Sequence, residues 1–312
     1  MLDLRSADAV IDAFTRGRDA CTSSPLRQGC LEVIDPHNPA HAPARLIATG
    51  DLHDNPISFA RLLNEAALAT DGDADATSDA APLAPPAHLT LHELIHPDTL
   101  CNGLDLSYRI LARVAGLKAR FPSRVHLLLA NHELAQIVGA GIVKDGLNVV
   151  KAFNRGVEHI FGADAPAVLA ALGAFIHALP LGLRILGAGD AGRDLLCLHS
   201  LPGPDLFDRF DETILGRALA DDDLTPRRGS AHLLVWGRSQ TPELIERLAD
   251  AWNVGTFILG HEKADSGSLL LPPRAIVLNT DHAAGVFAPL DLTRTWSAAQ
   301  IQTACLPIAS QN

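Results

Sequence analysis

Short apolar runs that stop abruptly in polar residues recur along this chain, and stretches with helical spacing separate them. Arg45-Leu46-Ile47-Ala48-Thr49 stops at Gly50-Asp51-Leu52-His53-Asp54-Asn55. His88-Leu89-Thr90-Leu91 stops at His92-Glu93, and Val125 to Ala130 stops at Asn131-His132-Glu133. Residues 56–70 carry Ile57, Phe59, Leu62, Leu63 and Ala66 at helical spacing with Pro56 at the start, and residues 108–119 set Ile110, Leu111, Val114 and Leu117 on one side, so both are read as helices. A short helix is expected over 7–16, before a connection rich in Pro and His. Strand, polar loop and helix in repeated order predict an α/β sheet with its site at the carboxyl ends of the strands.

Beyond residue 133 the pattern turns helical and rich in Ala, Val and Leu through residue 176, broken by Gly139, Gly141, Gly146 and Gly156. It reads as a helical cap or insert, in which Asn154, Arg155 and His159 either overhang the site or are solvated. Residues 179–186 and 194–199 are expected to form a hairpin, residues 233–238 and 256–262 two more strand-to-loop transitions, and residues 274–279 with 284–290 a closing hairpin. Residues 71–87 are acidic, Pro-rich and low in complexity, a mobile surface insertion to which no chemistry is assigned.

Composition narrows the class. With 312 residues, 47% of them hydrophobic, the chain can bury a large aliphatic core, and its length suits one large or two small domains, of which a single domain over 1–312 is the expectation adopted. A net charge of -11 argues against a general nucleic-acid surface or an anionic-membrane surface, both of which need clustered Lys and Arg. No secretory signal and no membrane span is expected. The five cysteines are widely spaced with no CxxC pair, so they read as reduced thiols in a cytoplasmic protein.

Asp-x-His at residues 51–53 is weak evidence of a metal site by itself. The stronger signal is that Asp51, His53, Glu93, Asn131, His132, His199 and His261 each fall just after an expected strand. Carboxylate, amide oxygen and imidazole together suit manganese, iron or zinc.

In this order the blocks resemble those of the calcineurin-like metallophosphoesterases, and most closely their phosphoprotein-phosphatase branch. Gly50-Asp51-Leu52-His53 looks like that family's GDxH block and Ala130-Asn131-His132-Glu133 like its GNHE block. Residues 179–199 look like its Leu-Pro hairpin ending in a His ligand, and Gly260-His261-Glu262 like its last block. The resemblance implies a four-layer αββα sandwich of two mixed sheets with a helical insert. It also implies a phosphatase that uses two divalent ions, manganese foremost and iron or zinc next, to hydrolyse a phosphorylated protein or small molecule directly with metal-bound hydroxide. Asp51, His53 and His261 would hold one ion and Asn131 and His199 the other, with Glu93 bridging. His132 would be the general acid, with Glu133 or Asp54 orienting it.

The middle block departs from the family's GDxxDRG: Leu91-His92-Glu93-Leu94-Ile95-His96-Pro97 stands in its place. Glu93 would replace the bridging Asp, with His92, His96 and Asp98 as rivals in the same loop. His96 and Pro97 would replace the second Asp and the Arg, which leaves Arg238 as the expected phosphate clamp. His96 is a candidate hydrogen-bond partner for a ligand. Two alternatives therefore stand beside the phosphatase: a phosphatase-fold binding protein that has lost turnover, and a hydrolase of phosphodiesters or dinucleoside polyphosphates.

Overall fold

The computed structural model describes residues 2–69, 85–139, 143–144 and 147–309. One mixed sheet runs in the order Arg27–Gln28, Leu31–Ile34, Gly182–Ile185, Asp194–Leu198, Val254–Leu259, Ala275–Leu278 and Ser268–Leu271. The other runs Leu306–Pro307, Val286–Asp291, Arg45–Ala48, His88–Leu91 and Val125–Leu127. Between the sheets lies an apolar layer that includes Leu46, Ala48 and Leu290 from the smaller sheet and Leu183, Ile185, Ile258 and Leu278 from the larger. The outer faces are covered by helices, so the central strands are apolar on both sides and read as continuous runs. This is the four-layer α/β sandwich with two mixed sheets.

The helix Pro56–Glu65 begins where Asn55 accepts hydrogen bonds from the backbone N–H groups of Ile57 and Ser58, with Pro56 pre-set at its first position. Ala7–Thr22 runs past residue 16, its expected end, and packs on Tyr108–Arg120 and Ala165–His177. The 134–176 stretch holds the helices Asn131–Val138, Val149–Phe161 and Ala165–His177, but the paired short strands Val143–Lys144 and Leu147–Asn148 depart from the expected helical pattern. By length and composition Val149–His177 is apolar enough to cross a membrane, which the sequence reading did not anticipate. It is two helices joined by a turn at Gly162–Asp164, and Phe153, Val157, Phe175 and Ile176 are buried in the main core. Arg155 and His159 are exposed, while Asn154 accepts from Gln136 at 2.7 Å. The insertion expected over 71–87 lies outside the described residues except for residues 85–87.

Three expectations are corrected. The strands expected to close as a hairpin part company: Ala275–Leu278 lies parallel to Val254–Leu259, while Val286–Asp291 pairs with Arg45–Ala48 in the other sheet. Apolar patterning locates strands without saying which sheet takes them. Ser230–Val235 is a helix, because a short run buried on every side has no period to separate helix from strand. Leu31–Ile34 is a buried strand hidden from the pattern by Glu32.

Glu32 is 1% exposed and Lys118 0%, and each has its partner. Lys118 Nζ donates to Glu32 Oε1 at 2.7 Å and to the carbonyls of Pro122 and Val125. His126 Nδ1 lies 2.7 Å from Glu32 Oε2, and its Nε2 lies 2.9 Å from His88 Nδ1. His126 is thus a packed core residue, and the network ties a strand of each sheet to the helix Tyr108–Arg120. Removing one partner strands a buried charge, so Lys118→Met is expected to cost about 3–5 kcal/mol in denaturant unfolding; a cost under about 1 kcal/mol would refute this role. Burial would raise the Glu32 carboxyl, but His126 and Lys118 hold it at about 2 against an ordinary 4.5. A depressed carboxyl stabilises above its unfolded value. Stability is therefore expected to fall as pH drops from about 4.5 toward 2, and less steeply in Glu32→Gln.

Candidate metal centre

Gly50 ends its strand where a Cβ would lie 1.8 Å from the Leu278 carbonyl oxygen, so only glycine lets the chain pass. The backbone then enters the left-handed region at His53 and Asp54 (φ 45° and 56°), and it does so again at Glu93, His96 and His261. Non-glycine residues held this way cost energy and collect at functional sites. Hydrogen bonds hold the loops there: His53 N–H and Asp54 N–H donate to the carbonyls of Glu93 and Leu94, each at 2.8 Å, and Leu94 N–H donates to Glu133 Oε1 at 2.7 Å.

The strand ends bring Asp51, His53, Glu93, Asn131, His132, His199 and His261 into one cluster. Among the described residues, three groups of donor atoms lie close enough to share an ion: Asp51, His92 and His199; His53, Glu93 and His132; Glu93, His199 and His261. Glu93 faces two of them. Its Oε1 is 3.5 Å from His53 Nε2 and 3.4 Å from His132 Nδ1, while its Oε2 is 2.8 Å from His199 Nε2. Asn131 Oδ1 approaches the same His199 nitrogen at 2.7 Å. His261 falls with His199 rather than with Asp51 and His53, because its backbone N–H is what meets Asp51, at 3.0 Å from both carboxylate oxygens.

These donors fit a divalent cation. Glu93 Oε2 and His261 Nε2 are buried without a hydrogen-bond partner, and buried polar atoms are rarely left so. Burial, then Glu93, pushes Asp51 well above the usual carboxylate range. Burial would raise Glu93 as well, but the neighbouring His132 foremost holds it well below. Burial keeps His92 down at about 3 and His132 at about 4. The opposed shifts of Asp51 and Glu93 are those of two neighbouring buried carboxyls that do not both ionise without added positive charge, which a bound ion supplies.

Around this cluster, Glu133 bonds Leu94 and Asp54 lines a separate cavity with Arg109 and Arg113. Neither carboxylate is seen on His132. His96 is: the two rings are 5.3 Å apart, and His96 Nδ1 is tethered to Asp105 Oδ2 at 2.8 Å. Arg238 stands at the rim, donating to Glu262 Oε2 at 3.2 Å, with Nη2 3.5 Å from His261 Nδ1. It lines a cavity of about 500 Å³ with Asp51, His53 and His261. Asp281, 3.8 Å from His53 Nε2, belongs to this cavity too; the only signal for it was its place two residues after the strand-ending Asn279.

No family model and no curated protein matches the chain. Solved structures do. A protein serine/threonine phosphatase from Saccharomyces cerevisiae, with similarity to human phosphatase PP5, superposes with a TM-score of 0.62 at 14% identity, over 92% of this chain and 83% of that one. A cold-active protein tyrosine phosphatase gives 0.55 at 14% identity, over 86% and 78%. The cold-active protein-tyrosine phosphatase of a psychrophile, Shewanella sp., gives 0.52 at 14% identity, over 86% and 80%. The chain has the fold of these phosphatases.

An ion that binds only the folded chain stabilises it, by about 2.7 kcal/mol at a hundredfold excess over Kd. Manganese added to metal-free protein is therefore expected to raise the melting temperature, and the rise should shrink to half or less in Glu93→Gln. An unchanged wild-type melting temperature would contradict the site.

Proposed function

We propose that the chain is a phosphatase that hydrolyses phosphoesters with two divalent metal ions, manganese foremost, on a phosphorylated protein or small molecule. The observation that carries this reading is the position of Glu93 in a phosphatase fold, with one carboxylate oxygen toward His53 and His132 and the other toward His199, which Asn131 also meets. Asp51 and His53 would serve one ion, Asn131, His199 and His261 the other, and Glu93 both. When bound, such a pair polarises a phosphoryl oxygen and lowers the pKa of water.

The chain's own residues orient the ester and move the proton. Arg238, reaching into the cavity beside Asp51 and His261, would pair with phosphoryl oxygens through its planar fork. His132 would protonate the leaving oxygen. Burial keeps it neutral in the free chain, and a phosphate dianion beside it favours the protonated form. His96, tethered to Asp105, would fix the His132 ring in place of a carboxylate. We further read residues 1–312 as one domain with residues 134–176 as a helical cap, in a reducing cytoplasmic setting that suits the five free cysteines.

With manganese and an aryl phosphate, turnover is expected in the wild type, with a loss of at least about a hundredfold in His132→Gln and background rates in Asp51→Asn. No rate above the Asp51→Asn control despite bound metal would favour the binding-protein reading, to which the altered middle block points. A diester hydrolysed faster than the monoester would move the substrate class to phosphodiesters.

A further inference from the structure

His92 stands outside the ligand set proposed above, yet it is 2% exposed and both its ring nitrogens are engaged. Its Nε2 lies 3.0 Å from the carbonyl oxygen of Thr49. A carbonyl only accepts, so this nitrogen carries the proton of the neutral ring. That leaves a lone pair at His92 Nδ1, which lies 3.0 Å from His199 Nδ1. Two facing lone pairs repel; a proton on His199 Nδ1 relieves them, the rival arrangement being a cation held with Asp51 Oδ1, which lies 3.7 Å from His92 Nδ1 and 3.6 Å from His199 Nδ1. The remaining nitrogen of His199, Nε2, then faces Asn131 Oδ1 at 2.7 Å and Glu93 Oε2 at 2.8 Å. Turning the Asn131 amide over would relieve only the first of these contacts. The His92 ring is also boxed in, since a Cβ at Gly260 would fall 2.6 Å from its Cε1.

We propose that His92 is a positioning residue: a relay from the Thr49 carbonyl through His92 fixes His199 as the tautomer protonated on Nδ1 and aims its Nε2 lone pair into the metal centre. Resting on the two-ion reading above, this adds a residue that touches neither ion nor substrate. The GDxxDRG block has Gly where this chain has His92, so the relay belongs to the same altered segment that carries Glu93 and His96. Partners that set the tautomer of a ligating histidine typically govern metal affinity by about 10- to 100-fold.

Two variants separate this role from simple packing. In His92→Gln the amide can still donate to Thr49 and accept from His199, whereas His92→Leu fills the space and does neither. Metal-free protein would be titrated with cobalt(II), followed by calorimetry and visible absorption, with the melting temperature of each metal-free variant measured alongside. The expected result is two cobalt ions at wild-type affinity in His92→Gln and a loss of about tenfold or more for one ion in His92→Leu. Equal loss in both variants would overturn the proposal by making His92 itself a ligand, and no loss in either would overturn it by making the relay idle. Nitrogen-15 spectra of histidine-labelled wild type read the tautomer directly: a protonated Nδ1 on His199 is expected, and an unprotonated one refutes the relay. If the wild type binds no cobalt, the two-ion reading falls, while the spectrum of the metal-free chain still decides the relay.

Discussion

Glu93 Oε2 and Asn131 Oδ1 both approach His199 Nε2, at 2.8 and 2.7 Å, deep in the protein. Three electron-rich atoms so close repel unless a proton or a cation lies among them. Much of the surrounding architecture reads as the means of holding them there. Gly50 and Gly260 admit backbone and rings that any side chain would block. Loops in the left-handed region at His53, Glu93 and His261 are secured by backbone hydrogen bonds and by the Asp51 carboxylate. A rigid scaffold can impose such a cost because two packed sheets leave the loops little room to relax.

That rigidity has a second source on the buried side of the helix Tyr108–Arg120. Lys118, Glu32, His126 and His88 join strands of both sheets through a fully enclosed polar chain. Both ends of the protein thus use buried imidazoles near carboxylates, with opposite outcomes. Around Glu32 the charge is balanced by Lys118 and every member has a partner. Around Glu93 the balance is left open, and Asp51, His53 and His261 of the same cluster line a cavity. An open balance beside a cavity is what a ligand-binding centre requires, and a closed balance in the core is what folding requires.

Much of this was legible in the sequence because the signal was positional. Asp51, Asn131, His199 and His261 each follow an apolar run, and strands that run parallel bring their ends together wherever they lie in the chain. What the pattern missed has physical causes. Glu32 broke the apolar run of Leu31–Ile34, since its compensating Lys118 lies 86 residues away. The strand Val286–Asp291 was seen, but its sheet was not, because pairing partners are set by packing. The grouping of His261 with His199 depended on a backbone turn at φ 67° that no residue type announces. His92 was visible only as a rival to Glu93, since its role is written in hydrogen-bond polarity.

The most direct test of the account is a crystal structure of manganese-loaded protein, with anomalous scattering to locate the ions. It should show two ions with the Glu93 carboxylate between them, one on the His53 side and one on the side of Asn131 and His199. A single ion, with Glu93 turned away from it, would contradict the account.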